Sequence, residues 1–187
     1  MTGEADPRDE IQEHLKPLRA FALSLTRNPA NADDLVQDTI VKAWTKIGTF
    51  QPGTNMRAWL FTILRNTFYS ERRKRKREVA DSDGTYAETL FEKPSHDGRL
   101  AMGDFRRAFD QLSAEHREVL ILVGASGFGY DEAAEMMGVA VGTVKSRASR
   151  ARARLADLMH LEAGDDVLVG GDKTTLAIMG KSGIQAA

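Results

Sequence analysis

Six consecutive cations, Arg72, Arg73, Lys74, Arg75, Lys76 and Arg77, follow directly on a stretch rich in rings: Trp44, Phe50, Trp59, Phe61, Phe68 and Tyr69. Stacking surfaces beside a cationic track suit single-stranded nucleic acid, since a stacked base contributes roughly 1–3 kcal/mol and every phosphate attracts a counter-charge. Aromatic residues at helical spacing are more often core, and Trp44 and Trp59 are assigned there; Phe50, Phe61 and Tyr69 are the rings left for a base. Asn66, on the polar side of the same segment, offers both a donor and an acceptor to a base edge. A second cationic group, Lys145, Arg147, Arg150, Arg152 and Arg154, has no acid within it and carries Thr143 and Ser146 at its start. These are the residue types that reach base edges and phosphates from a helix in the major groove.

Other chemistry finds no support. The chain has no cysteine, and His14, His96, His116 and His160 lie too far apart for ligand spacing, so neither a disulfide framework nor a zinc site is expected. No cofactor and no catalytic constellation are expected either. The segment MGKSG at 179–183 has the look of a phosphate loop, but Thr175 stands where the first glycine belongs and no strand precedes it.

The elements that must hold these groups all read as helices. Ile11, Leu15, Leu18, Ala22 and Leu25 predict a helix over about 9–27, with Pro17 at a start or kink. Asn28-Pro29 breaks it, and Asn31 is expected to cap a second helix through Lys46, with Leu35, Thr39, Val41 and Trp44 facing inward and Gly48 closing it. Thr54 or Asn55 caps a third, with Met56, Trp59, Leu60, Ile63, Leu64 and Thr67 as its buried stripe. Further helices are expected at about 104–111, 114–124 capped by Ser113, 130–137 and 141–160. Between the last two, Gly138 supplies the left-handed turn of a helix-turn-helix, with Ala134 keeping the helices close and Val139 and Val144 filling their angle. Val144, Ala148, Ala151, Leu155 and Leu158 continue inward along the final helix. The fold class is therefore all-α. Two small helical domains are expected, 1–77 and 104–160, joined by a flexible linker at 78–103 rich in turn residues and followed by a mobile tail at 161–187.

At 187 residues and 42% hydrophobic content the chain can build two small cores. It begins without the basic flank and apolar run of a signal peptide, and no stretch approaches the roughly 18 apolar residues of a membrane span, so a cytoplasmic protein is expected. The formal net charge of −1 hides a blockwise pattern in which the two basic segments stand against an acidic start and an acidic middle.

The segments ADDLVQDTIVKAW, TFQPGTNMRAWLFTILRNTFYSERRKR and YDEAAEMMGVAVGTVKSRASRARARL resemble regions two and four of extracytoplasmic-function sigma factors, in that family's order, over residues about 10–77 and 104–160. LRAFALSLTRNPANADDLVQDT and LILVGASGFGYDEAAEMMG further resemble the EcfG group, the general stress response sigma factors. The resemblance implies a non-catalytic subunit that binds core RNA polymerase and directs it to promoter DNA, duplex and single-stranded. It implies that Asp34, Gln37 and Asp38 bind the polymerase and that the turn from Phe50 to Asn55, with Asn66 behind it, captures a base flipped from the minus-ten element. By the same resemblance Arg65, Arg72, Arg73 and Lys74 hold DNA backbone beside Phe61 and Tyr69. Thr143, Lys145, Ser146, Arg147, Ser149 and Arg150 would read the minus-thirty-five element. A NepR-type anti-sigma factor and a PhyR-type protein that removes it are the implied regulators, with no membrane and no small-molecule substrate.

Two rivals remain open. A sigma-mimicking domain that sequesters an anti-sigma protein would have no need of the basic residues, and a dimeric helix-turn-helix repressor would have no use for the aromatic first domain.

Overall fold

In the computed structural model, residues 6–81 and 100–160 are described, and every regular element among them is helical. They fall into two compact units, one within residues 1–93 and the other within 94–187. The expected tail at 161–187, with MGKSG, and most of the expected linker lie outside the described residues.

The first unit comprises α1 (Pro7–Ile11), α2 (Leu15–Thr26), α3 (Pro29–Lys46) and α4 (Met56–Asp81), with 3-10 turns at Gln12–His14 and Ile47–Thr49. The single helix expected over 9–27 is two. Asp6 caps α1 by accepting the Arg8 N–H, and Pro17 sits in the first turn of α2, where a missing N–H costs no helical hydrogen bond. Asn28, not Asn31, caps α3: its Oδ1 accepts the Asn31 N–H at 3.0 Å. Pro29 then takes the first helical position, for which its fixed φ is preorganised. α3 already ends at Lys46, ahead of Gly48.

Leu18, Phe21, Ala22 and Leu25 of α2, Ala32, Leu35, Thr39 and Ala43 of α3, and Met56, Leu60, Phe61, Leu64 and Thr67 of α4 form the core. Phe21 and Phe61 stack at 4.9 Å between centroids and 11° between planes. Arg19 binds Asp33 at 2.6 Å to bracket α2 against α3, and Lys42 Nζ donates to Thr67 Oγ1 at 3.1 Å across α3 and α4. The expected inward side of α3 is corrected in half its members: Leu35 and Thr39 are buried, but Val41 is 64% and Trp44 53% exposed. Trp59 and Ile63 are only partly buried.

The second unit comprises α5 (Leu100–Asp110), α6 (Ala114–Leu120), α7 (Tyr130–Met137) and α8 (Val141–Leu158). Ser113 caps α6 as expected, accepting the His116 N–H at 3.2 Å. The helix expected to run on to 124 changes hydrogen bonding after Leu120 into a π turn, Ile121–Ala125. Gly138 ends α7 at φ +64°, a conformation that suits glycine because it has no Cβ. α7 and α6 both pack on α8, where Ala133, Ala134, Met136 and Met137 of α7 and Val144, Ala148, Ala151 and Leu155 of α8 are all buried, while Val139 and Leu158 are half-buried. Both helices flanking the expected linker intrude on it, since α4 continues through Asp81 and α5 starts at Leu100.

Candidate nucleic-acid interface

α4 turns the residues it does not bury to the side opposite its core stripe. At about 100° per residue, Arg65, Asn66, Tyr69, Arg72 and Arg73 share one face of this 26-residue helix. The Arg65 guanidinium lies 4.8 Å from the Tyr69 ring centroid, and Tyr69 meets Phe68 edge-on at 5.1 Å. Asn66 and the whole run from Arg72 to Arg77 are exposed. Lys74 departs from that face and pairs with Glu78 at 3.8 Å.

Two of the expected rings are elsewhere. Phe61 is fully buried, its ring committed to Phe21 and covered by Arg57 at 5.4 Å, so it belongs to the core and not to a DNA surface. Phe50 is 8% exposed and leans on Trp59, 5.3 Å between centroids at 51°. The turn between them is well organised. Thr54 Oγ1 donates to the Gln51 carbonyl at 2.7 Å, Gly53 takes φ +84°, and Asn55 caps α4 by accepting the Ala58 N–H at 3.1 Å. Phe50 and Asn55 are therefore positioned by the turn itself.

On α3, Asp34, Gln37 and Asp38 are all exposed along one face. Val41 and Trp44 continue that face by helical spacing, which the sequence reading missed by placing them inside. Arg8 lies 5.3 Å from the Trp44 ring centroid. From α4, Glu71 approaches Asp38; partial burial first, then the neighbouring Asp38 carboxyl, raises the Glu71 carboxyl above its usual range, against the pull of Arg75 and Lys42.

α8 buries one stripe and presents the rest. Lys145, Ser146, Ser149 and Arg150 are exposed, with Thr143 and Arg147 half-buried at the edge. Arg150 is held by Ser146, donating from Nε to its carbonyl at 3.2 Å and from Nη2 to its hydroxyl at 3.3 Å. On one flank Lys145 lies 5.8 Å from the Tyr130 ring, and on the other Arg147 lies 3.7 Å from Glu115. His116 adjoins that flank, its imidazole pKa lowered by burial first and by Arg150 and Arg147 after it, with Glu115 opposing. No described cluster of His, Cys, Asp or Glu could hold a metal ion.

Residues 11–78 match the model of sigma-70 region 2 and residues 102–155 that of sigma-70 region 4. The ECF RNA polymerase sigma factor EcfG of Rhodopseudomonas palustris is 51% identical over 94% of this chain and 96% of its own. The ECF RNA polymerase sigma factor SigL of Mycobacterium tuberculosis is 42% identical over 72% of this chain and 78% of its own. Among solved structures, the sigma factor RpoE of Bartonella quintana, crystallised with the anti-sigma factor NepR, superposes with a TM-score of 0.73 at 52% identity, over 83% of this chain and 99% of that one.

Proposed function

The chain belongs to the extracytoplasmic-function RNA polymerase sigma factors, and from that premise we propose how its surfaces divide the work of promoter recognition. The protein binds core RNA polymerase and directs promoter-specific transcription initiation. Its likeness to EcfG and to NepR-bound RpoE supports a place in the general stress response, under a NepR-type anti-sigma factor released by a PhyR-type protein. Residues 1–77 act as region 2, 78–103 as linker and 104–160 as region 4. The chain adds no catalysis of its own: the polymerase makes the phosphodiester bonds. It works in the cytoplasm; no described helix is long and apolar enough to cross a membrane.

Three surfaces share the task. The α3 face, with Asp34, Gln37, Asp38, Val41 and Trp44, docks on the polymerase. The α4 face, with Arg65, Asn66, Tyr69, Arg72 and Arg73, holds unpaired minus-ten DNA, while the turn from Phe50 to Asn55 borders the pocket for a flipped base. Unstacking that base costs a few kcal/mol, so a pocket that binds it selects sequence while it opens the duplex. Thr143, Lys145, Ser146, Arg147, Ser149 and Arg150 of α8 read the minus-thirty-five element in the major groove. Lys74 serves the phosphate backbone from outside the α4 face.

The observation that carries this reading is α4, one unbroken helix in which the core stripe, the Asn66–Tyr69 face and the cationic run succeed one another. The test is transcription from a supercoiled promoter by core polymerase plus this chain, followed by permanganate footprinting with Asn66→Ala. Transcripts should start, and the variant should lose thymine reactivity in the minus-ten element while retaining closed-complex binding. Unchanged footprints would remove Asn66 from the pocket. Absence of transcripts, with capture of a NepR-type protein intact, would favour the mimic.

A further inference from the structure

The final helix holds no acid from Val141 to Ala156, yet one of its arginines faces a carboxylate. That carboxylate comes from α6. Glu115 Oε2 stands 3.7 Å from Arg147 Nη2, with the Glu115 side chain 58% exposed and that of Arg147 26% exposed. The Ser113 cap fixes the start of α6, and packing of α6 on α8 brings this first turn against the cationic helix. His116, the next residue, has its imidazole pKa lowered by burial and by Arg150 and Arg147, so Glu115 is the group of that turn whose charge opposes the arginines.

An exposed ion pair adds little to stability, so the pair's consequence is to be sought where α8 meets DNA. We propose that Glu115 is a positioning and specificity-determining residue for duplex recognition, restraining Arg147 so that it engages its cognate base pair in preference to any nearby phosphate. The proposal rests on the reading that α8 enters the major groove. On non-cognate duplex, Arg147 could gain only a phosphate contact, and to gain it would leave Glu115 unpaired in the field of the DNA backbone. On the cognate element Arg147 makes a bidentate contact to a base while still held by Glu115, so that cost is met only where the sequence offers no such contact. Glu115 thereby weakens non-specific binding more than specific binding. Discrimination built from a repulsive element as well as an attractive one is a general route to specificity.

The test uses the full chain assembled with core polymerase, on two promoter fragments that differ only in the upstream element, one transcribed by this holoenzyme and one scrambled. Affinities are measured across a series of potassium chloride concentrations. Glu115→Gln, a change at an exposed position, should tighten binding to the scrambled fragment about three- to tenfold and to the cognate fragment less than about twofold. Its salt dependence on the scrambled fragment should steepen by about one counterion. In an Arg147→Ala background the same substitution should leave the cognate-to-scrambled ratio unaltered, which a merely structural role for Glu115 would not produce. Equal tightening on both fragments, or a ratio unchanged by Glu115→Gln while the unmodified holoenzyme still discriminates, overturns the restraint and leaves groove reading intact. An unmodified holoenzyme that does not discriminate at all overturns both.

Discussion

Trp44→Ala is the perturbation that tests whether the α3 face is a docking surface. A tryptophan can bury up to about 250 Å², and 53% of Trp44 is exposed in the free chain, so docking can remove on the order of 130 Å² from water. At about 25 cal/mol per Å² that area corresponds to about 3 kcal/mol, an upper figure because the partner need not cover the whole ring. A loss of about 2–3 kcal/mol, or roughly 30- to 150-fold in affinity, would place Trp44 among the residues that dominate an interface. Stability should scarcely change. The one contact described for the ring, with Arg8 at 5.3 Å, is worth about 0.5–1 kcal/mol at an exposed site, and alanine's better helix propensity offsets part of it. Equilibrium binding of labelled protein to core polymerase gives the affinity, and thermal melting of the same samples gives the fold. A variant that melts normally and binds polymerase within about threefold of the unmodified protein would show that this face does not dock, and α3 would need another explanation for two large apolar groups in water.

Phe61→Ala should unfold the first unit, because emptying a fully buried phenylalanine site costs about 3–5 kcal/mol against a total that is small for a unit of this size; Phe61→Leu should cost about 1–1.5 kcal/mol and leave promoter opening near normal. A Phe61→Leu protein that melts like the parent yet fails in permanganate footprinting would return that ring to the DNA surface. Glu71 gives a pH signature: its raised carboxyl means that the folded state keeps a proton the unfolded chain has released, so its contribution falls as pH rises from the ordinary carboxylate range through the folded value. Glu71→Gln should therefore melt above the unmodified protein at neutral pH, and the gap should narrow as pH falls toward about 4.3, where glutamate is ordinarily half-protonated; a gap that is absent at neutral pH would refute the cost of holding the Glu71 charge, half-buried and beside Asp38.

Helix order was legible because apolar residues recur at 3.6-residue spacing in every long segment, although the break between α1 and α2 was not. Nor was the way α3 faces. Leu35, Thr39, Val41 and Trp44 span too wide an arc to share one inward stripe, while alanines at 32 and 43, which carry little hydrophobic signal, join Thr39 in having no exposure. An apolar residue left in water on a helix has the same composition as one that packs in the core, so burial had to come from the fold. Phe61 was misassigned for the opposite reason. α4 packs against both α2 and α3, which widens its buried stripe beyond a single row and takes in the residue beside Leu60. The Asn28–Pro29 pair read as a break, although the same two residues form a cap and a first helical position. Glu115 gave no local signal at all, because its relation to Arg147 exists only once α6 lies on α8. The exposed arc of α8 was the most legible part, since its buried row of Val144, Ala148, Ala151 and Leu155 dictates which side remains.

The two cationic segments differ in construction, and the difference follows from what interrupts them. In α4 six cations in succession, each turned by about 100° from the last, surround the helix completely, and none is buried. No side of that stretch is reserved for the protein, so it can meet phosphates from any direction and its members are nearly interchangeable. Such a run gives affinity that falls steeply with salt and carries no sequence information. In α8 buried residues recur every three or four positions and force the cations onto the remaining arc, where Ser146 holds Arg150, Tyr130 flanks Lys145 and Glu115 faces Arg147. Each of those cations has its own restraint and therefore its own direction. Direction is what a base edge requires and a phosphate does not. On the proposed roles, one chain keeps a net charge near zero and still carries both a non-selective grip on opened strands and a selective grip on duplex, because the first depends on charge density alone and the second on how each charge is held.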